Sequence, residues 1–193
     1  MKTIYILMIL FTLGLVSRAQ AQLAPVAYEK WFMQVNGDLG SPTGNLANAV
    51  NQGWGGEAAV GYYFPHNFDI SLEAGFDTYS EKNSALNESW NLLPLVFKAQ
   101  YHFFDDSPVQ PYLLLAAGLA FNSRYANFGS FTGSNNEVDL LEEAGFGLNF
   151  ILGSQSSFYA QIKMEWDNTS SNYASDQPTV LIPINFGVKF LLN

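Results

Sequence analysis

Histidine is the residue type that most often acts as an acid or base in catalysis, and this sequence has only two. His66 lies in a short polar segment before Asn67, whereas His102 is followed by two phenylalanines. A catalytic base must approach its nucleophile to about 3 Å, and neither histidine has a serine beside it in a pattern that suggests such a pair. Two histidines so far apart, in a chain without cysteine, also make a poor metal site. We therefore predict no catalytic site, no metal site and no cofactor.

The lysines and glutamates are more informative, because many of them alternate with apolar residues. Side chains on one face of a narrow, closed sheet can reach one another, and buried charges are tolerated when they are paired and hydrogen-bonded. We expect an interior charge network formed by Glu57, Glu73, Lys98, Glu143, Lys163, Glu165 and Lys189. The excess of acids over bases leaves a second interpretation open, a narrow pore that prefers cations.

The overall composition excludes several classes of protein. Charged residues make up 13% of the 193 residues and aromatic residues 16%, while the mean hydropathy is only +0.04. Apolar and polar residues must therefore be finely interleaved, which argues against membrane-spanning helices, since each needs about 20 consecutive apolar residues. The aromatic content argues against disorder. The balance of 8 basic to 17 acidic residues argues against nucleic acid as a partner.

The first twenty-one residues have the pattern of an export signal. Lys2 gives a positively charged start, residues 4–16 are apolar, and Ala19-Gln20-Ala21 forms a cleavage site with small residues at its ends. We predict that residues 1–21 are a signal peptide and that residues 22–193 form one exported domain.

From residue 29 onward the dominant pattern is alternation of apolar and polar residues, which is typical of β-strands with two unlike faces. Six segments alternate clearly, whereas residues 30–39 alternate weakly and residues 111–121 are apolar on both faces, so the registers of these two stay unassigned. Short connections at 65–67, 105–110 and 153–157 alternate with longer ones at 40–51, 79–89, 122–137 and 168–178. The sequence therefore predicts an all-β fold, an eight-stranded antiparallel up-and-down transmembrane β-barrel with one compact and one loop-bearing end.

Side-chain size indicates which face of the barrel points inward. The polar face carries the strand glycines, which suit the crowded interior of an eight-stranded barrel, and the apolar face carries most of the large rings. No Asp, Glu, Lys or Arg lies on the apolar face of the six clear segments. We expect this face to meet lipid, with aromatic girdles at the two interfaces formed by Trp54, Phe64, Phe68, Phe76, Phe103, Phe158, Trp166 and Phe190. A soluble lipocalin-like barrel, with the apolar face lining a ligand cavity, is the alternative.

Three segments give the chain a family resemblance: Pro111-Tyr112 leading to Gly118, Gly145-Phe146-Gly147, and Ile184-Asn185-Phe186-Gly187-Val188-Lys189-Phe190. With these segments the sequence resembles the small eight-stranded outer-membrane barrels of the OmpX, OmpW and opacity-protein type. The resemblance implies a location in the bacterial outer membrane, with membrane lipid and the barrel-assembly machinery as partners, and we expect a monomer. Many such proteins end in an aromatic residue that this machinery reads. Here the end is Phe190-Leu191-Leu192-Asn193, so Phe190 would take that role.

The loops are the remaining candidates for recognition. The longest expected loop contains Tyr125, Phe128 and Phe131, and exposed aromatic residues often anchor interfaces. The same rings could instead pack on one another, or the segment could extend the fifth strand as a ribbon. We predict a non-enzymatic outer-membrane barrel with a lumen plugged by side chains, in a structural or surface-interaction role with an unidentified surface ligand. The alternative function is a narrow pore or transporter for small or hydrophobic solutes.

Overall fold

The computed structural model describes residues 30–44, 46–80, 82, 89–104, 107–127, 132–167 and 179–192. Eight strands and one short helix occupy most of these ranges. They are β1 (Trp31–Pro42), α1 (Leu46–Ala49), β2 (Gly53–Phe64), β3 (Phe68–Ser80), β4 (Ser89–His102), β5 (Val109–Asn127), β6 (Thr132–Ile151), β7 (Ser156–Asp167) and β8 (Thr179–Leu191). The expected signal peptide lies outside the described residues and stays a prediction.

The eight strands form one closed barrel in which each strand pairs antiparallel with its sequence neighbours, and β1 pairs with β8. Following the paired residues once around the barrel from Phe32 leads back to β1 at Pro42, a stagger of ten residues. A stagger of this kind accompanies strands that tilt by about 35–45° from the barrel axis. Closure leaves no strand edge unpaired, so the backbone N–H and C=O groups of the sheet are satisfied without water. The predicted fold is confirmed.

The two faces of the strands divide apolar from polar side chains as alternation predicts. On β3, Leu72 on the outside is 51% exposed, whereas the neighbouring Glu73 on the inside is 1% exposed. The same division holds for β2, β4, β7 and β8. The lipocalin-like alternative is therefore wrong, because the apolar face lies outside the barrel and lines no internal cavity.

The structure assigns the two registers that the sequence left open. On β1, Met33, Val35 and Leu39 face outward, and Gln34 and Asp38 face inward. On β5, the odd-numbered residues, such as Leu113 and Leu115, face outward. The even-numbered residues Leu114, Ala116 and Ala120 are buried inside. The inner face of β5 is apolar because it borders an apolar layer within the lumen.

The connections follow the expected short and long alternation with one clear exception. The turn at 65–67 places His66 and Asn67 at φ values of 68° and 66°, the left-handed region that tight hairpin turns require. The expected long loop at 122–137 is wrong, since β5 and β6 stay paired as far as Asn127 and Thr132. The ribbon interpretation of this segment is the one observed. None of the described helical residues forms a helix long and apolar enough to cross a membrane.

Candidate functional site in the barrel lumen

The centre of the lumen holds a cluster of buried charges around Lys163 of β7. Its Nζ lies 2.5 Å from Glu57 Oε1, 3.2 Å from Glu143 Oε2 and 3.0 Å from Glu165 Oε1. Glu73 Oε1 is 3.7 Å away. These side chains come from β2, β3, β6 and β7, and all are at most 5% exposed. One ammonium group thus links four strands across the narrow interior.

A second lysine and several amides complete this central cluster. Lys98 of β4 forms an ion pair with Glu73, and Gln34 donates to the same carboxylate at 2.9 Å. Asn36 and Asn185 donate to Glu57 Oε2 at 2.9 and 3.1 Å. Buried ions are stable only when hydrogen bonds satisfy their remaining lone pairs, and these amides do so. We define the central cluster as Glu57, Glu73, Lys98, Glu143, Lys163 and Glu165.

Lys189, the seventh residue expected in this network, lies in a different place. Its Nζ is 3.3 Å from Asp69 Oδ2 and donates a hydrogen bond to Tyr63 Oη at 3.0 Å. The same Nζ lies over the Phe32 ring, 4.3 Å from the ring centroid. His102 Nε2 also lies 2.8 Å from Asp69 Oδ2. Because β8 ends at Leu191, Lys189 sits near the compact end of the barrel rather than at mid-strand, which is why the expectation that it meets the glutamates is wrong.

Two further carboxyl groups adjoin the central cluster and have no cation of their own. Both carboxyl oxygens of Asp38 are buried with no donor among the described residues. The side chains of Asp38 and Asp77 lie within hydrogen-bonding reach of each other. Alternation places both residues inward but gives no indication that they meet.

An apolar layer lies inside the barrel on the loop-bearing side of the central cluster. Since β4 runs from the loop-bearing end to the compact end, Trp90 and Leu92 lie nearer the loops than Lys98. We call this layer the apolar cap: it consists of Leu46, Val50, Tyr79, Trp90, Leu92, Val96, Ala116, Ala120, Leu141 and Leu181. All its members are at most 8% exposed.

The connection between β1 and β2 supplies the part of the apolar cap that covers the barrel mouth. Leu46 belongs to α1, and Val50 N–H donates to its carbonyl at 3.0 Å. The ends of the connection are held by Thr43 N–H, which donates to Val180 O at 3.0 Å, and by Asn51 N–H, which donates to Ser80 O at 2.8 Å. Sequence reasoning missed this cap. The available signal was the two-sided apolarity of residues 111–121.

Buried rings and inward glycines fill the compact end of the lumen. A Cβ at Gly61 would lie 2.4 Å from Cζ of Phe32, and one at Gly147 would lie 2.4 Å from Cζ of Tyr112. Glycine is therefore required at both positions so that a ring from a neighbouring strand can lie across the backbone. The inward glycines were expected, but the rings that occupy the space beside them were not.

The eight residues expected in the aromatic girdles all lie on the outer face. Trp54, Phe76 and Trp166 stand near the loop-bearing end, and Trp54 is 65% exposed. The others stand near the compact end: Phe64, Phe68, Phe103, Phe158 and Phe190. Their role at membrane interfaces stays a prediction.

Among the described residues of the strands, one carboxyl side chain faces outward. Glu142 is exposed and faces outward from β6, between Leu140 and Ala144. The prediction of an uncharged apolar face applies to six alternating segments, and the sixth of them begins at Glu143. In the structure, the corresponding strand β6 begins earlier, at Thr132. The shorter segment missed this residue.

The remaining candidates are not brought together into a site. His66 is exposed in its turn and far along the chain from the buried His102, and no group of metal-ligating side chains suited to an ion occurs in the described ranges. Tyr125 lies on β5 opposite Ser134. Phe128 and Phe131 fall outside the described residues, as does the side chain of Tyr125.

Comparison with known proteins gives a family match over most of the chain. Residues 8–190 match the model of a family described as outer membrane protein beta-barrel domain. No curated protein has a significant sequence match to the chain.

Several solved structures share the fold. Neisserial surface protein A has a TM-score of 0.63 at 14% identity, with 84% of this chain and 97% of that chain covered. OprG from Pseudomonas aeruginosa has a TM-score of 0.56 at 12% identity, covering 89% and 100%. Ail, the attachment invasion locus protein of Yersinia pestis, has a TM-score of 0.53 at 13% identity, covering 86% and 100%. At such identities the similarity shows the fold alone.

Proposed function

Because the chain belongs to the outer membrane protein beta-barrel domain family, we propose that it is a non-enzymatic barrel of the bacterial outer membrane with a closed lumen and a role in structural support or surface interaction. In this proposal the interior stabilises the barrel and conducts no solute. The loop-bearing end faces the exterior, and the compact end faces the periplasm.

The observation that carries the closed-lumen proposal is the apolar cap. A path for ions needs a continuous line of water or polar groups, and the cap places Leu92, Leu141 and Leu181, each 0% exposed, between the central cluster and the loops. The central cluster below it is itself filled by paired side chains. An eight-stranded barrel is just wide enough for side chains to fill it, so both layers are consistent with a plugged interior.

The lack of a catalytic constellation supports a non-enzymatic role. His102 uses Nε2 to bind Asp69, and its neighbours include the rings of Tyr63 and Tyr112 at centroid distances of 5.6 and 5.2 Å. None of the side chains described around it is a serine, threonine or cysteine hydrogen-bonded to it. We infer that His102 stabilises the compact end and needs no cofactor.

A surface role is favoured because the long connections, which are rich in Asn, Ser, Gly and Thr, all join strands at the same end of the barrel. Two proteins of the same fold are named for such a location or activity, a neisserial surface protein and an attachment protein of Yersinia pestis. We propose that Tyr125 of β5, together with Phe128 and Phe131 from the sequence between β5 and β6, contributes to contact with a surface ligand.

Biogenesis follows the same proposal. Residues 1–21 would direct export and be removed after Ala21, and Phe190, which is 48% exposed on the outer face, would be read by the barrel-assembly machinery. We expect a monomer surrounded by outer-membrane lipid.

Single-channel recording in planar bilayers tests the closed lumen. The native barrel should give no reproducible conductance steps across ±100 mV, a voltage range of the order used for porins. Steps that change size in both Glu73→Ala and Lys98→Ala variants would locate a conducting path through the central cluster and overturn the proposal.

A narrow pore that prefers cations is the second candidate function. It is favoured by the excess of carboxyl groups in the lumen, where Glu57, Glu73, Glu143 and Glu165 face two lysines. In the same recordings, this candidate predicts steps whose reversal potential in a salt gradient shifts toward that of the cation.

A further inference from the structure

A shallow groove crosses the outer surface of the barrel over β4, β5, β6 and β7. Its lining includes the small side chains of Ala99, Ala117 and Ala144 beside the larger ones of Phe97, Leu115 and Trp166. The groove is open to its surroundings and has a volume of about 670 Å³. Its lining is apolar apart from Glu143, whose side chain points into the lumen, and the outward-facing side chain of Glu142.

That side chain, Glu142, lies at the loop-side end of the groove. In the strand ladder it stands between Ala117 of β5 and Trp166 of β7. Since β6 runs from the loops toward the compact end, Ala144 lies two residues deeper in the apolar belt than Glu142. The groove therefore starts at a carboxylate beside a tryptophan and continues over alanines toward the middle of the membrane.

Glu142 has no ionic or hydrogen-bonding partner among the described residues. The other Asp, Glu, Lys and His side chains that the structure describes in the strands either point into the lumen or lie near the loop-bearing end of the barrel. A charge on the lipid face of a barrel is destabilising, by up to about 2–4 kcal/mol for a basic residue at the midplane and less for an acid near the interface. A bound cation would remove this cost.

We propose that the groove binds a single-chain amphiphile with an ammonium head, whose head pairs with Glu142 and whose alkyl chain lies over Ala117 and Ala144. The indole of Trp166, the strand partner of Glu142, would add a cation–π contact to the head. The proposal goes beyond the structural or surface role and needs only that the apolar face meets lipid.

Charge decides between this occupant and the others. A second copy of the chain would have to provide a cation from its own apolar belt, and the described outer faces of the eight strands carry neither lysine nor arginine. An anionic amphiphile would place like charges together at Glu142. A neutral one would fill the groove and leave the carboxylate unpaired.

Nuclear magnetic resonance of ¹³C-methyl alanine in nanodiscs of neutral lipid tests the site. Dodecylammonium should shift the methyl signals of Ala117 and Ala144 in a saturable manner, and dodecanol and dodecanoate should do so at least tenfold more weakly. Glu142→Gln should reduce the affinity for dodecylammonium at least tenfold. Because Glu142 faces lipid and has no partner in the described structure, this variant should still fold.

Two further variants separate the groove from the rest of the outer face. Ala117→Leu should fill the groove and abolish the saturable shift at Ala144, whereas Ala74→Leu, which enlarges an outward alanine on β3, should leave it unchanged. Equal affinity for the native protein and Glu142→Gln, or for dodecylammonium and dodecanol, would overturn the proposal. A normal shift in Ala117→Leu would do the same.

Discussion

Lys163 is the cation of the central cluster with the most carboxylates around it. Its ammonium is shared by carboxylates from four strands, and water has little access to any of them. Alternation along the strands is sufficient to predict that these residues point inward. It does not predict which of them meet, because the height of a residue depends on the stagger of the whole barrel. Lys189 shows this, since it faces inward as expected but pairs with Asp69.

Replacing Lys163 with methionine should therefore destabilise the folded barrel. The variant leaves Glu57, Glu143 and Glu165 buried without their cation, and breaking a buried ion pair costs about 3–5 kcal/mol. Urea unfolding in detergent micelles, followed by tryptophan fluorescence, measures this loss. Lys30→Met is the control, because the ammonium of Lys30, just before β1, has no ion pair or hydrogen bond among the described residues and its loss should change the free energy of unfolding by less than about 0.5 kcal/mol. A loss below about 1 kcal/mol for Lys163→Met would contradict the role given to it.

The inward glycines give a second prediction at the same scale. Gly147→Ala places a Cβ about 2.4 Å from the Tyr112 ring and 2.7 Å from Ala160 O, so the ring and backbone must shift. Overpacking of this kind costs about 1–3 kcal/mol. Gly153→Ala is the matched control, since its Cβ would meet nothing within 4 Å. Equal urea midpoints for Gly147→Ala and Gly153→Ala would contradict this prediction, because they would show that the interior accommodates the added Cβ without cost.

At the scale of elements, the paired strands and the β1–β2 connection determine what the lumen contains. The existence and order of the strands could be predicted from alternation, and so could the compact end. The cap could not, because Leu46 and Val50 lie in a connection whose composition is that of an ordinary loop. Only closure of the barrel brings that connection over Leu92 and Leu181. The outward position of Glu142 could not be predicted either, because Glu142 lies in the part of β6 that precedes its clearly alternating residues.

The cap should control access of water to the upper lumen. The native chain has no cysteine, so a single Ala120→Cys probe reports on a position that is 0% exposed. We expect slow labelling by a charged, water-soluble thiol reagent, and labelling at least tenfold faster when Val50→Asn loosens the cap. A second background, Gln52→Asn, changes an exposed residue of the same connection and should leave the rate unchanged.

Fast labelling of Ala120→Cys in the otherwise native barrel would mean that the cap does not seal the mouth. Labelling that is equally slow with Val50→Asn would mean that other residues provide the seal. The first result would also remove the main support for a closed lumen.

At the scale of the whole molecule, the near-zero mean hydropathy is the average of two opposed surfaces. Among the described residues, the outer surface is largely apolar away from the strand ends and carries one carboxylate, that of Glu142, whereas the other described charged side chains of the strands face the interior. A chain of this kind cannot bury its apolar face by itself, because the face is on the convex side of a closed sheet. Lipid has to provide the environment that a core provides in other proteins.

Folding of residues 22–193 with and without lipid tests this account most directly. After dilution from urea into lipid vesicles, the chain should gain β-structure by circular dichroism, resist protease except in its loops, and migrate differently on a gel before and after heating. After dilution into buffer alone it should aggregate. A soluble monomer with the same β-structure in buffer without detergent would contradict the central claim that the apolar outer face is solvated by membrane lipid.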